Sequence, residues 1–136
     1  MVEDCVFCKI VRKESFAYLV YEDEKVLAFL DNRPVSEGHT LVIPRAHYEN
    51  LYTVPDDEVA YLFGIVKKVV LAVKAAVKAD GIRIVQSNGS AAGQVVFHTH
   101  VHIISSYKNQ KKCNRRIYMD EEFEKIQIKI KSYING

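Results

Sequence analysis

His98-Thr99-His100-Val101-His102-Ile103-Ile104 places histidine at every second position inside an apolar, β-branched run from Val95 to Ile104. On a strand, successive side chains point to opposite faces. The pattern therefore predicts a strand over 95–104 with all three imidazoles on one face. Val95, Phe97, Thr99, Val101 and Ile103 fall on the other, a core face. The chain has five histidines, and the remaining two, His39 and His47, share one short segment. A strand face rarely stacks imidazoles that must each find a hydrogen-bond partner, so the cluster points to chemistry rather than packing. Two chemistries suit it. One is a metal centre, since imidazole is a common zinc ligand. The other is nucleophilic catalysis, in which a neutral imidazole attacks an electrophile and forms a covalent intermediate.

The segment leading into the histidines, Ser87-Asn88-Gly89-Ser90-Ala91-Ala92-Gly93-Gln94, is rich in small residues. Its backbone N–H groups can approach an anion closely, notably a phosphate. A histidine that attacks phosphorus needs its other ring nitrogen held in one tautomer. It also needs donors for the phosphoryl oxygens and a proton for the leaving group. His100, with histidines at i−2 and i+2, is the candidate nucleophile.

Further from the histidines, Tyr18–Tyr21 and Val26–Leu30 read as a β-hairpin around Glu22-Asp23-Glu24-Lys25, and Thr40–Ile43 as a third strand ended by Pro44. Pro55, Asp56, Asp57 and Glu58 suit the first turn of one long helix, and Gly81 follows its last turn. Val59, Leu62, Phe63, Val66, Val70, Val73 and Val77 recur along it at helical spacing as one buried stripe. Ile82–Gln86 is a fourth strand, and the tail from Asp120 to Ile134 is predicted as a second helix through Phe123, Ile126, Ile130 and Tyr133. No repeat or linker interrupts the chain, so the fold class is α+β, one domain over 1–136 around a mostly antiparallel sheet.

The totals agree with that class. The chain has 136 residues, 49% of them hydrophobic and 26% charged, the composition of a compact domain with a sizeable core. A net charge of +2 does not argue for nucleic acid, and no apolar stretch approaches the roughly 20 residues of a membrane span. The start, Met1-Val2-Glu3-Asp4, has no signal-peptide pattern. A reducing, cytoplasmic setting is expected, in which three cysteines form no disulfide framework. Cys5-Val6-Phe7-Cys8 is a C-x-x-C pair without the βαβ surroundings of a redox motif, which leaves half of a zinc site or a pair of buried thiols. The run Lys108–Arg116 reads as a solvated basic loop, with steering of anionic substrates as the sharper alternative.

His98-Thr99-His100-Val101-His102-Ile103-Ile104 resembles the signature of the histidine-triad superfamily of nucleotide hydrolases and transferases, His-φ-His-φ-His-φ-φ with φ hydrophobic. The resemblance extends to Phe29-Leu30-Asp31, to Gly38 through His47 and to Gly89 through Gln94, covering residues 5 to 105. It is closest to the small branch of nucleoside phosphoramidate hydrolases, the protein-kinase-C-interacting-like proteins. It implies a five-stranded antiparallel sheet, a long helix, a shorter C-terminal helix and a homodimer with a ten-stranded sheet. It implies His100 as the nucleophile that forms a nucleotidyl-histidine, with His102 and His39 lining the phosphate site. Asp31, with Asn32 beside it, would hold the ribose hydroxyls, while Phe7, Ile10 and Leu30 would sandwich a purine base. Gly93, Gln94 and Val95 would meet the α-phosphate.

In relatives with the C-x-x-C pair, the resemblance further implies structural zinc on residues matching Cys5, Cys8, His47 and His98, in an N-terminal segment of about 1–12. The tail of 106–136 lies outside the matched motifs. Two positions depart from the pattern. Ser87 stands where relatives carry Asn or Gln, with Asn88 one residue later, and Val95 stands where a Ser or Thr hydroxyl often assists the leaving group. With Val95, His102 or a solvent proton would have to compensate. The expected function is hydrolysis of purine nucleoside phosphoramidates or related nucleotides. The alternatives are a non-catalytic nucleotide-binding dimer and a metal-dependent hydrolase that uses the three histidines as ligands.

Overall fold

Asp23 closes the first hairpin: its Oδ1 accepts the backbone N–H groups of Lys25 and Val26, each at 2.8 Å. The computed structural model describes residues 2–109 and 116–135. In chain order these are α1 (Val6–Val11), β1 (Leu19–Glu22), β2 (Val26–Leu30), β3 (Thr40–Pro44), α2 (Asp56–Val77), β4 (Gly81–Val85), β5 (Val101–Ser106) and α3 (Asp120–Asn135). The strands form one antiparallel sheet in the order β1-β2-β3-β5-β4. The predicted five-stranded α+β fold is the observed one. No helix among the described residues is long and apolar enough to cross a membrane.

Every residue of β2 and β3 is buried, because the sheet is covered on both faces. On one face Val26, Ala28, Leu30, Val42, Val101 and Ile103 pack with α2 and α3. On the other, Leu27, Phe29, Leu41 and Ile43 pack with Phe7 and Val11 of α1. Since side chains alternate along β5, His102 stands on the α1 face, between Val101 and Ile103, which are buried beneath α2. The helix-covered face is therefore structural, and the α1 face is the one left to carry a site.

Three sequence expectations shift. The strand predicted for 95–104 begins only at Val101. Before it, Thr99 is pinned to the loop after β3: its N–H and its Oγ1 both donate to the Tyr48 carbonyl, at 2.7 and 2.9 Å. His98 and His100 thus lie in an approach segment and only His102 in the ladder, while Val95 and Phe97 are exposed rather than in a core face. The buried stripe of α2 is Leu62, Val66, Val69, Ala72, Val73, Ala76 and Val77. Phe63 is exposed and Val59 and Val70 half-buried. Alanines at 72 and 76 are part of the contact face, which a search for large apolar residues passes over. The long helix ends at Val77, with Lys78 taking the left-handed conformation (φ 51°), so that Gly81 opens β4 instead of capping the helix.

The tail is helical, as predicted. Phe123, Ile126 and Ile130 face the core and Tyr133 is exposed, its place taken by the partly buried Ile134. Helix α3 is tied to β1 by Gln127 Nε2, which donates to the Leu19 carbonyl at 2.9 Å, and by Tyr18, whose hydroxyl donates to Asp120 at 2.6 Å. Helix α1 has no counterpart in the sequence reading; six residues are too few to display a period. Cys113 and residues 110–115 of the basic run lie outside the described residues.

Gly38, immediately before β3, has φ +79°, and a Cβ there would stand 2.9 Å from Val77 Cγ1. Val77 is β-branched and fixed in α2, so it has little room to yield. Gly38→Ala is expected to destabilise the protein by about 1–3 kcal/mol in urea denaturation. An unchanged denaturation midpoint would contradict the packing described.

Candidate active site and metal-ligand cluster

The C-x-x-C pair is organised by α1. Cys5 caps the helix, with its Sγ accepting the Cys8 N–H at 3.4 Å, and both sulfurs turn toward two histidines from elsewhere in the chain. His98 Nδ1 lies 3.4 Å from Cys5 Sγ, 3.5 Å from Cys8 Sγ and 3.2 Å from His47 Nδ1, and Cys8 Sγ lies 3.4 Å from His47 Nδ1. Four ligands around one tetrahedral metal at zinc bond lengths are about 3.3–3.8 Å apart, so the spacing fits a shared ion. The other nitrogen of His98, Nε2–H, donates to the Pro44 carbonyl at 2.8 Å. That bond leaves Nδ1 bare toward the cluster, the arrangement that orients metal-bound imidazoles. Burial pushes the His98 imidazole down to about 4, which keeps it neutral, as a ligand must be.

The backbone of His98 serves its neighbour. His100 Nδ1–H donates to the His98 carbonyl at 2.7 Å, so its lone pair is on Nε2. Burial also holds the His100 imidazole below its ordinary value. His102 is fixed by a second chain of bonds. The Val35 N–H donates to His39 Nδ1 at 3.1 Å, which puts the His39 proton on Nε2. His39 Nε2–H then donates to His102 Nδ1 at 2.9 Å, leaving Nε2–H of His102 as a free-standing donor. The His100 and His102 rings lie 5.0 Å apart, and Phe7 meets His100 edge-on at 5.2 Å.

His100 and His102 open on a cavity of about 840 Å³ on the α1 face of the sheet. Of the residues singled out in the sequence, Phe7, Ile10, Leu30, Asp31, Asn32, Gly93 and Val95 line it with them. Asp31 is positioned by β2, and its Oδ1 accepts the Arg33 N–H at 2.8 Å. Its Oδ2 is 3.6 Å from His39 Nε2.

The structure draws four candidates back from the cavity wall. His39 is buried behind His102 and reaches the cavity only through it. Gln94 is buried: its Oε1 accepts the Gly89 N–H at 2.8 Å and its Nε2 donates to the Glu49 and Val96 carbonyls at 2.6 and 3.0 Å. Asn88 exchanges hydrogen bonds with Gln86 and accepts the Leu51 N–H, and the Ser87 carbonyl accepts from Gln86. These side chains brace the loop, whose glycines 89 and 93 both have positive φ (88° and 95°). The wall also holds Val6, Phe16, Phe29, Arg33 and Val96, which the sequence reading missed. Val6 and Phe16 become neighbours of the histidines only once α1 and the turn after it are folded against the sheet.

The HIT domain family matches residues 12–109, the span from the end of α1 through β5. This chain belongs to the HIT family. A solved structure of a hypothetical histidine triad nucleotide-binding protein from Sulfolobus tokodaii superposes with a TM-score of 0.90 at 44% identity, covering 96% of this chain and 92% of that one. A zinc-bound histidine triad protein from Mycobacterium smegmatis superposes with a TM-score of 0.87 at 35% identity, covering 97% and 94%. An adenylylsulfatase of Arabidopsis thaliana is 46% identical over 101 residues, 74% of this chain and 51% of that protein. The HIT match begins after Cys5 and Cys8, so the cysteine half of the ligand cluster stands outside the segment that defines the family.

Burial, followed by the neighbouring His100, holds His102 below its ordinary value of 6.5. The folded state therefore favours neutral His102, and on acidification the unfolded chain takes up this proton first. The stabilising contribution is complete above pH 6.5 and declines as the pH falls below it. Side-chain NMR should find His102 titrating below 6.5, with stability falling over the same range. Titration at or above 6.5 would contradict the buried, neutral assignment.

Proposed function

We propose that this HIT protein is a hydrolase that cleaves purine nucleotides at the α-phosphorus through a covalent nucleotidyl-His100 intermediate, as in the small phosphoramidate-hydrolase branch of the family. The observation that carries the reading is the 2.7 Å bond from His100 Nδ1–H to the His98 carbonyl. It leaves the Nε2 lone pair as the nucleophile and stabilises the positive charge that the ring gains on attack. Nε2 bonds to phosphorus as the bond to the leaving group breaks, and the leaving group departs with that electron pair. Water then adds to phosphorus, the P–N pair returns to Nε2, and the proton from water passes to solvent. Nucleoside monophosphate is released.

His102 Nε2–H is suited to a phosphoryl oxygen, with His39 behind it as a positioning residue. Asp31 and Asn32 would receive the ribose hydroxyls, and Phe7, Ile10 and Leu30 the base. Backbone groups of Gly93, Gln94 and Val95 would meet the α-phosphate. Ser87 and Asn88 contribute to this site through the loop they hold. The adenylylsulfatase name of the Arabidopsis relative supports chemistry at the same phosphorus. The whole of residues 1–136 would work as one domain in a reducing, cytoplasmic setting. Two copies would join through β4, a sheet edge on which Ile84 is 48% exposed, into a ten-stranded dimer.

Cys5, Cys8, His47 and His98 would hold a structural zinc ion. A closed Cys2His2 set leaves no open coordination position, so the ion's contribution is to clamp α1 against the segment that carries His100. The competing reading, a catalytic metal on all three histidines of the triad, conflicts with the ring orientations. His98 turns its bare nitrogen to the cysteines, and the remaining nitrogen of His102, Nε2, carries a proton.

Replacing His100 with alanine should lower kcat/KM for a nucleotide substrate by about 10³-fold or more while nucleotide still binds. Normal turnover in that variant would sink the nucleophile assignment; binding without turnover in the unaltered protein would identify a non-catalytic binder. Elemental analysis should find about one zinc per chain, and stripping it should lower Tm, with recovery on readdition. Metal-free protein of unchanged Tm would remove the zinc proposal.

A further inference from the structure

Val95 is 85% exposed, and its side chain opens on the cavity that holds His100 and His102. An apolar group this exposed beside a candidate nucleophile adds no hydroxyl to the wall. The remaining polar groups of the wall differ in what they can offer a departing group. The Tyr18 hydroxyl is committed to Asp120, at 2.6 Å. Ser15 sits where the cavity adjoins a separate recess formed by Ile10, Lys13, Glu14 and Leu19. Asp31 serves as an acceptor, for the Arg33 N–H, Asn32 is an amide, and the guanidinium of Arg33 does not release a proton at any working pH. His102 offers Nε2–H of a neutral ring, because its Nδ1 is occupied by the proton of His39. That single N–H is the donor assigned above to a phosphoryl oxygen, so it is not also available to a departing group. Among the described residues of the wall, the donors can steady a phosphoryl oxygen, and none stands ready as a general acid.

From this wall, and resting on the nucleotidyl-His100 reading above, we propose that the site selects nucleotides whose α-phosphate is joined through oxygen to the anion of a strong acid, such as sulfate or a carboxylate, over phosphoramidates. The difference lies in where the electron pair goes. When Nε2 attacks an adenylyl sulfate, the P–O bond breaks and the pair leaves on sulfate oxygen as a stable anion that needs no proton. When it attacks a phosphoramidate, the P–N bond breaks and the pair is left on nitrogen, which must be protonated as it departs because an amide anion is prohibitively basic. General-acid assistance of this kind contributes about 10²–10⁴-fold. Val95 is thus a specificity-determining residue, and the reaction that supplies the substrate is one that activates an oxyacid by attaching it to a nucleotide.

Steady-state AMP release from adenosine 5′-phosphosulfate and adenosine 5′-phosphoramidate tests this with the full chain and its Val95→Ser and Val95→Ala variants. The unaltered protein should favour the phosphosulfate by about 10²-fold or more in kcat/KM. Val95→Ser should narrow that ratio by about 10-fold or more, and Val95→Ala should leave it in place, since alanine removes bulk and adds no hydroxyl. Val95 is exposed, so neither variant threatens the fold. Equal use of both substrates by the unaltered protein, a ratio that serine does not move, or equal narrowing by serine and alanine would each overturn the proposal. Turnover of neither substrate would instead overturn the hydrolase reading on which it rests.

Discussion

The arrangement depends on His98, which makes two different commitments with its ring and its backbone. Its ring spans from the Pro44 carbonyl to the sulfurs of Cys5 and Cys8, and its carbonyl accepts Nδ1–H of His100 at 2.7 Å. Fixing the ring also fixes the peptide that sets the tautomer of His100. The cysteine–histidine cluster and the proposed nucleophile, His100, are therefore one mechanical unit. Disturbing α1 would be felt at the cavity even though Cys5 and Cys8 contribute nothing to its wall. The region needs such a clamp because residues 95–100 have no strand partner and are held by Tyr48, Pro44 and the cluster instead.

The sheet supplies the rigid reference for that clamp. Its α2 face is filled by one apolar cluster, in which the buried Thr40 and Ser105 hydroxyls are satisfied by the Gly38 and Glu37 carbonyls, and β2 and β3 are buried on both sides. The other face divides into a packed half beneath Phe7 and Val11 and an open half that forms the cavity. His102 projects from the rigid ladder, whereas His100 comes from the pinned segment just before it. A donor on the sheet and a proposed nucleophile on an anchored approach suit chemistry in which the phosphoryl group stays fixed while its bonds change.

The alternation of His98, His100 and His102 carried most of the site, and the His100 and His102 rings remain 5.0 Å apart although only His102 lies in the ladder. What that alternation hid was direction. Period alone could not reveal that His98 turns to Cys5, Cys8 and His47, and the likeness to the histidine-triad superfamily supplied that division. Gln94 and Asn88 looked like ligand-facing residues and proved to be braces, because a loop with two positive-φ glycines needs side chains to satisfy its backbone. Position in sequence does not distinguish a side chain that meets a ligand from one that holds the turn. The long helix was legible from its charged start and its period, but Ala72 and Ala76 were invisible to a search for bulky residues. The end of that helix was misplaced because Lys78, and not glycine, adopts the left-handed turn.

Hydrogen bonds fix the ring nitrogens before any substrate arrives. Long-range proton–nitrogen NMR of ¹⁵N-histidine protein at neutral pH reads those tautomers directly. The proton is expected on Nδ1 at His100, and on Nε2 at His98, His39 and His102. A proton on Nε2 of His100, with Nδ1 bare, would contradict it.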